Sequence, residues 1–276
     1  MIDTLESISQ QTYKNIELII SDDRSPDNTL EICESWIEKH KNRFSNTIVT
    51  KTDRNGGICY NYNNGLKMAT GKWIKYIAGD DELMPDCISS FVERASTSDD
   101  KIFISGTIPF NEDGDLPPRY PNRSIFEGDA YQQESRLLKV GTVIEGPTLF
   151  LETDTLRKLN GFDENYPFIE DYPLYMKYLA NGHRINLIEM PLIHYREHFD
   201  SVSRSDDRFS DSIIRAIEDF SYDAYMRRKD YLRAYHWWCN RKIREFSKDK
   251  DLFSKIKGYG LRLTDIANLF DKVDKQ

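Results

Sequence analysis

The sequence predicts an α/β fold: a mainly parallel sheet with helices on both faces, followed by a helical C-terminal extension. Three observations carry this. Short apolar runs alternate with segments of helical periodicity up to about Ser203, the βαβα order of a sheet covered on both sides. Those runs are nearly continuous rather than alternating, as in strands buried on both faces. After about Ser205 only helical periodicity remains, which divides the chain into 1–203 and 204–276.

The elements follow in order. Thr4 to Gln11 reads as the end of a helix and Ile16 to Ile20 as a strand. Ser25-Pro26-Asp27 signals a helix start, with serine as cap and proline in the first turn. Leu30, Cys33 and Ile37 give that helix its apolar stripe. Thr47 to Lys51 reads as a strand, 58–69 as a helix stopped at Gly71, and Trp73 to Ala78 as a strand. Pro85 opens another helix and Lys101 to Ser105 forms another strand. Four prolines and little periodicity make 107–128 a loop. Thr148 to Leu151 is a strand, Thr153 caps a short helix, and Glu170 to Ala180 is a helix. Arg184–Glu189 and Leu192–Arg196 read as two strands, and 210–228, 230–247 and 252–270 as helices.

Composition narrows the function. Of 276 residues, 30% are charged and 39% apolar, a globular balance. No apolar run approaches the roughly 18 residues of a spanning helix. The opening MIDTLESISQQ carries acids and no apolar block, so no signal peptide is expected there. The four cysteines, Cys33, Cys59, Cys87 and Cys239, form no CxxC, so neither a disulfide framework nor a cysteine zinc site is expected, and a reducing cytoplasm fits. The net charge of −8 argues against broad nucleic-acid binding. The charge is uneven: Tyr225 to Arg262 holds twelve Lys/Arg against four Asp/Glu. Tyr231, Tyr235, Trp237 and Trp238 are interleaved with those cations. Such a segment lies on anionic lipid, or packs its aromatics on the preceding domain and solvates its charges.

Ligands of open sheets bind beyond the carboxyl ends of the strands. Asp22-Asp23 and Asp80-Asp81 follow two of the predicted strands. Crowded carboxylates repel unless a cation joins them, as a hard divalent ion does; alternatively, each pair caps the next helix. Arg54-Asn55-Gly56-Gly57 precedes a helix, where glycines let backbone approach a phosphate, or simply form a turn. Glu170-Asp171 opens a helix. It is either a first turn favoured by the helix dipole or a general base for a sugar hydroxyl. His194, Arg196 and His198 share one strand face. There, imidazole suits a metal and arginine suits phosphate oxygens; otherwise these are surface residues at a strand edge.

Taken in order, the motifs are Ser7-Ile-Ser-Gln-Gln-Thr-Tyr-Lys-Asn-Ile-Glu17, Ile20-Ser-Asp-Asp-Arg-Ser25, Asn55-Gly-Gly, Asn63-Asn-Gly-Leu-Lys-Met-Ala-Thr-Gly-Lys-Trp-Ile74, Gly79-Asp-Asp-Glu-Leu-Met-Pro85, Gly161-Phe-Asp-Glu164, Glu170-Asp171 and Tyr195-Arg-Glu-His198. This ordered set resembles glycosyltransferase family 2 from about Thr4 to Ser203. These are inverting, nucleotide-sugar-dependent enzymes with the GT-A fold. The resemblance implies that Asp23 contacts the base or ribose, with Asp22 nearby. It implies that Asp80 and Asp81 contact the sugar nucleotide and hold Mn²⁺ or Mg²⁺ on its diphosphate. Asp171 is then the catalytic base with Glu170 beside it, and His198 lies near the diphosphate or metal. Asn55, Gly57 and Arg196 join the expected donor contacts. The expected donor is a UDP-sugar. The expected acceptor is a glycan or lipid-linked glycan of surface-polysaccharide assembly, built in the cytoplasm or at the inner face of the membrane.

Three departures from the pattern bear on these expectations. Ala78 stands where many members carry an acid, so metal binding leans on Asp81, Asp80 and His198. Arg24 replaces the usual glycine after Asp-Asp. The family's opening apolar strand and turn have no counterpart ahead of Thr4, so a further 25–30 residues upstream are expected, since a strand, a turn and half a helix take about that many. Two other readings remain. A phosphoacceptor receiver needs a lone Asp at the end of the next strand and a later lysine; the strand Thr47–Lys51 does not end on such an Asp, and Glu170-Asp171 would have no role in it. A non-catalytic nucleotide-sugar binder keeps the fold without turnover.

Overall fold

The computed structural model describes residues 1–141, 144–197 and 207–248. The chain divides into two compact units, Met1–Phe209 and Ser210–Gln276.

In the first unit, α1 (Ile2–Ser9) leads to β1 (Glu17–Asp22), α2 (Thr29–His40), β2 (Asn46–Lys51) and α3 (Ile58–Met68). β1 and β2 form a two-stranded parallel sheet in register from Glu17↔Asn46 to Asp22↔Lys51. That pairing carries β1 two residues past its last apolar residue. α2 starts later than Ser25. The Ser25 N–H is taken by the Asp22 carboxylate at 3.0 Å, and Asp27 receives the Thr29 N–H at 3.1 Å.

Next come β3 (Trp73–Lys75), β4 (Glu82–Leu83), α4 (Cys87–Ser96), β5 (Ile102–Asn111), β6 (Gly114–Asp115), α5 (Ala130–Val140), β7 (Phe150–Glu152), α6 (Thr153–Lys158), α7 (Asp171–Ala180) and β8 (Ile185–Arg196). They build a six-stranded sheet of order β3-β7-β5-β8-β4, with β6 on β5. The α/β class is as expected, and the longest pairings are parallel, with short antiparallel pairings beside them. β1–β2 and β5–β8 are parallel, while β3–β7, β5–β7, β5–β6 and β4–β8 are antiparallel. β7 enters between β3 and β5 against both, and β4 is a two-residue return beside β8.

The prolines misled the sequence reading. Pro109 lies inside β5, where only its carbonyl is used, accepting from Leu116 N–H at 2.8 Å. Part of the expected loop 107–128 is therefore strand and hairpin. The two strands expected over 184–196 are one, β8, which passes through Pro191 where the register with β5 shifts at Ser105–Thr107.

The core gathers aromatic rings under the sheet. Phe91, Phe103 and Phe150 are buried. Phe150 stacks on Trp73 at 5.2 Å and on Phe91 at 4.9 Å. β1 ends one sheet and β3 ends the other, and both line a single cleft of about 1120 Å³. Leu5, Ile8, Leu18, Ile20, Trp73, Ile77 and Ile88 make its inner walls apolar. All four cysteines are free and buried.

The helix α8 (Asp207–Arg227) carries the chain into the second unit from Ser210, which also contains α9 (Tyr231–Lys248). The boundary expected at 203 and the helix expected over 252–270 lie outside the described residues. Among the described residues, no helix is long and apolar enough to cross a membrane.

Candidate functional site

The cleft is lined by Asp22, Asp23, Gly57, Asp80, Asp81, Glu170, Asp171 and Arg196. Asn55 is not among its lining residues and is exposed. His198 lies outside the described residues.

Asp22 closes β1, and Asp23 reaches across to the loop after β2. One oxygen of the Asp23 carboxylate accepts from Thr52 Oγ1 and Gly56 N–H, both at 3.0 Å, and the other accepts from Gly57 N–H at 2.8 Å. The amides of Gly56 and Gly57, in the loop that is either a phosphate approach or a plain turn, bond to Asp23. Gly57 has φ +85°, and a Cβ there would lie 2.8 Å from the Pro167 carbonyl oxygen. Its lack of a side chain lets α3 approach the turn before Glu170. Arg24 holds φ +61°. Glycine takes that backbone region without steric cost, which explains the residue the resemblance expects there. The Arg24 guanidinium instead donates to the Asp53 carbonyl.

The Asp80-Asp81 turn is clamped by the end of β8. Arg196 N–H donates to Asp81 Oδ1 at 2.9 Å, and Arg196 Nε donates to the Asp80 carbonyl at 2.8 Å. The same guanidinium meets Glu82 at 3.1 Å and Asp3 at 3.2 Å, and lies 4.4 Å over the Phe110 ring. Arg196 therefore positions the acidic turn through these contacts. His194 bridges Glu82 and Asp115 and stacks on Phe110 at 3.8 Å, which makes it a packing residue. Asp81 is only 2% exposed. Burial pushes its carboxyl up to about 7, against the opposing pull of the Arg196 N–H. Among the described residues, no three His, Cys, Asp or Glu side chains converge as a metal site.

Glu170 and Asp171 stand at the N-terminus of α7. The turn before them is held from three sides. Asn63 of α3 accepts the Phe162 N–H at 2.9 Å and donates to its carbonyl at 3.0 Å. Lys177 donates to the Gly161 carbonyl at 2.9 Å. Buried Cys59 places its thiol 3.2 Å from the Tyr166 carbonyl. Burial raises both acids above the ordinary carboxylate range, and the Asp171 charge raises Glu170 further. Gly146 backs the pair: a Cβ there would lie 1.8 Å from Glu170 Oε1.

Two cleft residues escaped the sequence reading. Lys75 of β3 donates to the Tyr76 carbonyl at 2.9 Å and to the Pro147 carbonyl, tying β3 to the Gly146 turn. Burial pushes its ammonium down to about 8. A lysine inside Trp73-Ile-Lys-Tyr-Ile77 was the available signal. Glu145 also lines the cleft, and Thr107 Oγ1 donates to it at 2.6 Å. It lies in an aperiodic stretch where spacing carries no signal.

Comparison with known proteins shows the family and the fold. The family described as Glycosyl transferase family 2 matches residues 1–155. The chain belongs to glycosyl transferase family 2. It is 27% identical over 201 residues to the amylovoran biosynthesis glycosyltransferase AmsB of Erwinia amylovora, covering 71% of this chain and 64% of AmsB. It is 30% identical over 202 residues to WfaP of Escherichia coli, named a UDP-Glc:alpha-D-GlcNAc-diphosphoundecaprenol beta-1,3-glucosyltransferase, covering 72% and 73% respectively. The match to GgaB of Bacillus subtilis, a minor teichoic acid biosynthesis protein, spans 22% of that longer protein. Among solved structures, S. aureus TarS 1–349 in complex with UDP-GlcNAc aligns over 94% of this chain and 75% of that one, with TM-score 0.65 and 20% identity. That likeness establishes the GT-A fold for this family member.

Proposed function

We propose that this protein is an inverting glycosyltransferase. It moves a sugar from a nucleotide-sugar donor, a UDP-sugar, to a hydroxyl of a glycan or lipid-linked glycan in surface-polysaccharide assembly. The observation that carries the reading is one cleft lined by the strand-end carboxylates Asp22-Asp23 and Asp80-Asp81 and by the Glu170-Asp171 pair. The names of AmsB and WfaP support the acceptor class. TarS, with UDP-GlcNAc bound on a similar fold, supports the donor class.

The chain's own residues perform the step as follows. Asp171, ionised at the positive end of the α7 dipole, accepts the proton of the acceptor hydroxyl. The hydroxyl oxygen forms its bond to the anomeric carbon as the bond to the donor diphosphate breaks, so the sugar inverts, as in single-displacement glycosidases. The diphosphate leaves with the electron pair. Glu170 stands beside Asp171 in the same buried turn, and the Asp171 charge raises the Glu170 carboxyl. Arg196 keeps the Asp80-Asp81 turn in place. The buried, under-compensated carboxylate of Asp81 fits Mn²⁺ or Mg²⁺, which take one or two carboxylates together with substrate phosphates. When bound, such an ion neutralises the leaving diphosphate.

Asp171→Asn tests this reading. Transfer should fall by about 10²–10⁴-fold while nucleotide binding, read by calorimetry, stays near wild type. Full transfer by this variant would remove Asp171 from the base role.

A further inference from the structure

We infer that the tip of the α8–α9 hairpin docks on an anionic lipid surface. This inference stands apart from the donor reading. The two helices run antiparallel, held by Glu218–Arg244 at 2.6 Å and Asp219–Arg241 at 3.2 Å. Small buried side chains, Ala216, Ala224, Ala234 and Cys239, let them approach closely. The turn Arg228–Asp230 is closed by backbone bonds to Ala224, Met226 and Tyr225, with Lys229 at φ +59°.

At that tip the chemistry changes. Met226 is 41% exposed, Tyr231 60% and Leu232 54%. They stand beside Arg227, Arg228 and Lys229, in a stretch 226–233 with four cations and one acid. Trp237 and Trp238, singled out by composition, are half-buried instead, and Trp238 stacks on Tyr235 at 5.8 Å.

The hairpin tip closes through a three-residue turn between the two helices. It offers apolar side chains and a tyrosine to a soft interface, ringed by cations that meet anionic headgroups. The chain's net charge of −8 is repelled by the same surface, so the charge contrast favours the tip as the point of contact.

The test is flotation of the full chain with phosphatidylcholine vesicles, with and without about 30 mol% phosphatidylglycerol. Binding is expected on the anionic vesicles at about 50 mM salt and largely lost at about 300 mM, where screening is strong. Tyr231→Ser with Leu232→Ser should weaken it about tenfold through lost apolar insertion. Arg227→Gln with Arg228→Gln and Lys229→Gln should abolish it. Helicity by circular dichroism should be unchanged in both variants. Absence of binding to anionic vesicles would overturn the inference. So would undiminished binding by both variants, or binding by the apolar variant equal to wild type, which would mark simple anion attraction.

Discussion

Asp81 sits where stability and function pull in opposite directions. Its carboxyl ionises near 7 in the folded chain and near 4 when unfolded. The folded state therefore binds the proton more tightly. That contribution is complete below pH about 4 and is lost as pH rises towards 7. Asp81→Asn keeps an oxygen for the Arg196 N–H and removes the buried charge. It should raise Tm by several degrees at pH 8 and change it little at pH 4, as read by thermal melts. Mn²⁺ should raise the Tm of wild type through binding to the native state and leave that of Asp81→Asn unchanged. Asp171 makes a kinetic prediction. Its raised ionisation places the acid limb of the kcat profile above the ordinary carboxylate value of about 4; a limb at or below that value would contradict its burial. The sequence made these acids legible by their order along the chain. It left Asp23's partners and the role of Arg196 hidden, because both depend on loops folding back from distant elements.

The turns that hold α7 set the geometry of the Glu170-Asp171 pair. Gly146→Ala places a methyl group where Glu170 Oε1 now lies, and the flexible carboxyl end must swing away. Stability should change by no more than about 1 kcal/mol, as for a tolerated surface change. Turnover should fall on the order of tenfold or more, because small misplacements near reacting atoms are costly. A matching loss of Tm would assign Gly146 a purely structural role. Phe150 belongs to the sheet rather than the site, and Phe150→Ala should cost about 3–5 kcal/mol, measured by denaturant unfolding. The apolar runs made β1, β2 and α3 readable. β5 and β8 run on through Pro109 and Pro191, residues whose sequence signal is that of a breaker, and Pro109 uses only its carbonyl at its register. Spacing also gave no sign that β7 would run against both its neighbours.

At the scale of the molecule, β1 and β3 end separate sheets and face one apolar cleft. Unpaired strand edges leave backbone groups without ladder partners. A strand of about six apolar, β-branched residues, joined by a short linker ahead of Met1, should pair with these edges and raise Tm by about 5 °C. A proline-interrupted strand of the same composition should not. Equal melting of the two extended chains would show that the cleft does not accept a strand.

The acid-lined cleft as a nucleotide-sugar site is tested most directly by calorimetry of UDP binding to this chain. Binding that requires Mn²⁺ and is lost in Asp81→Asn, while persisting in Asp171→Asn, is the predicted result. No UDP binding by a folded sample, or binding indifferent to both Mn²⁺ and Asp81, would contradict it.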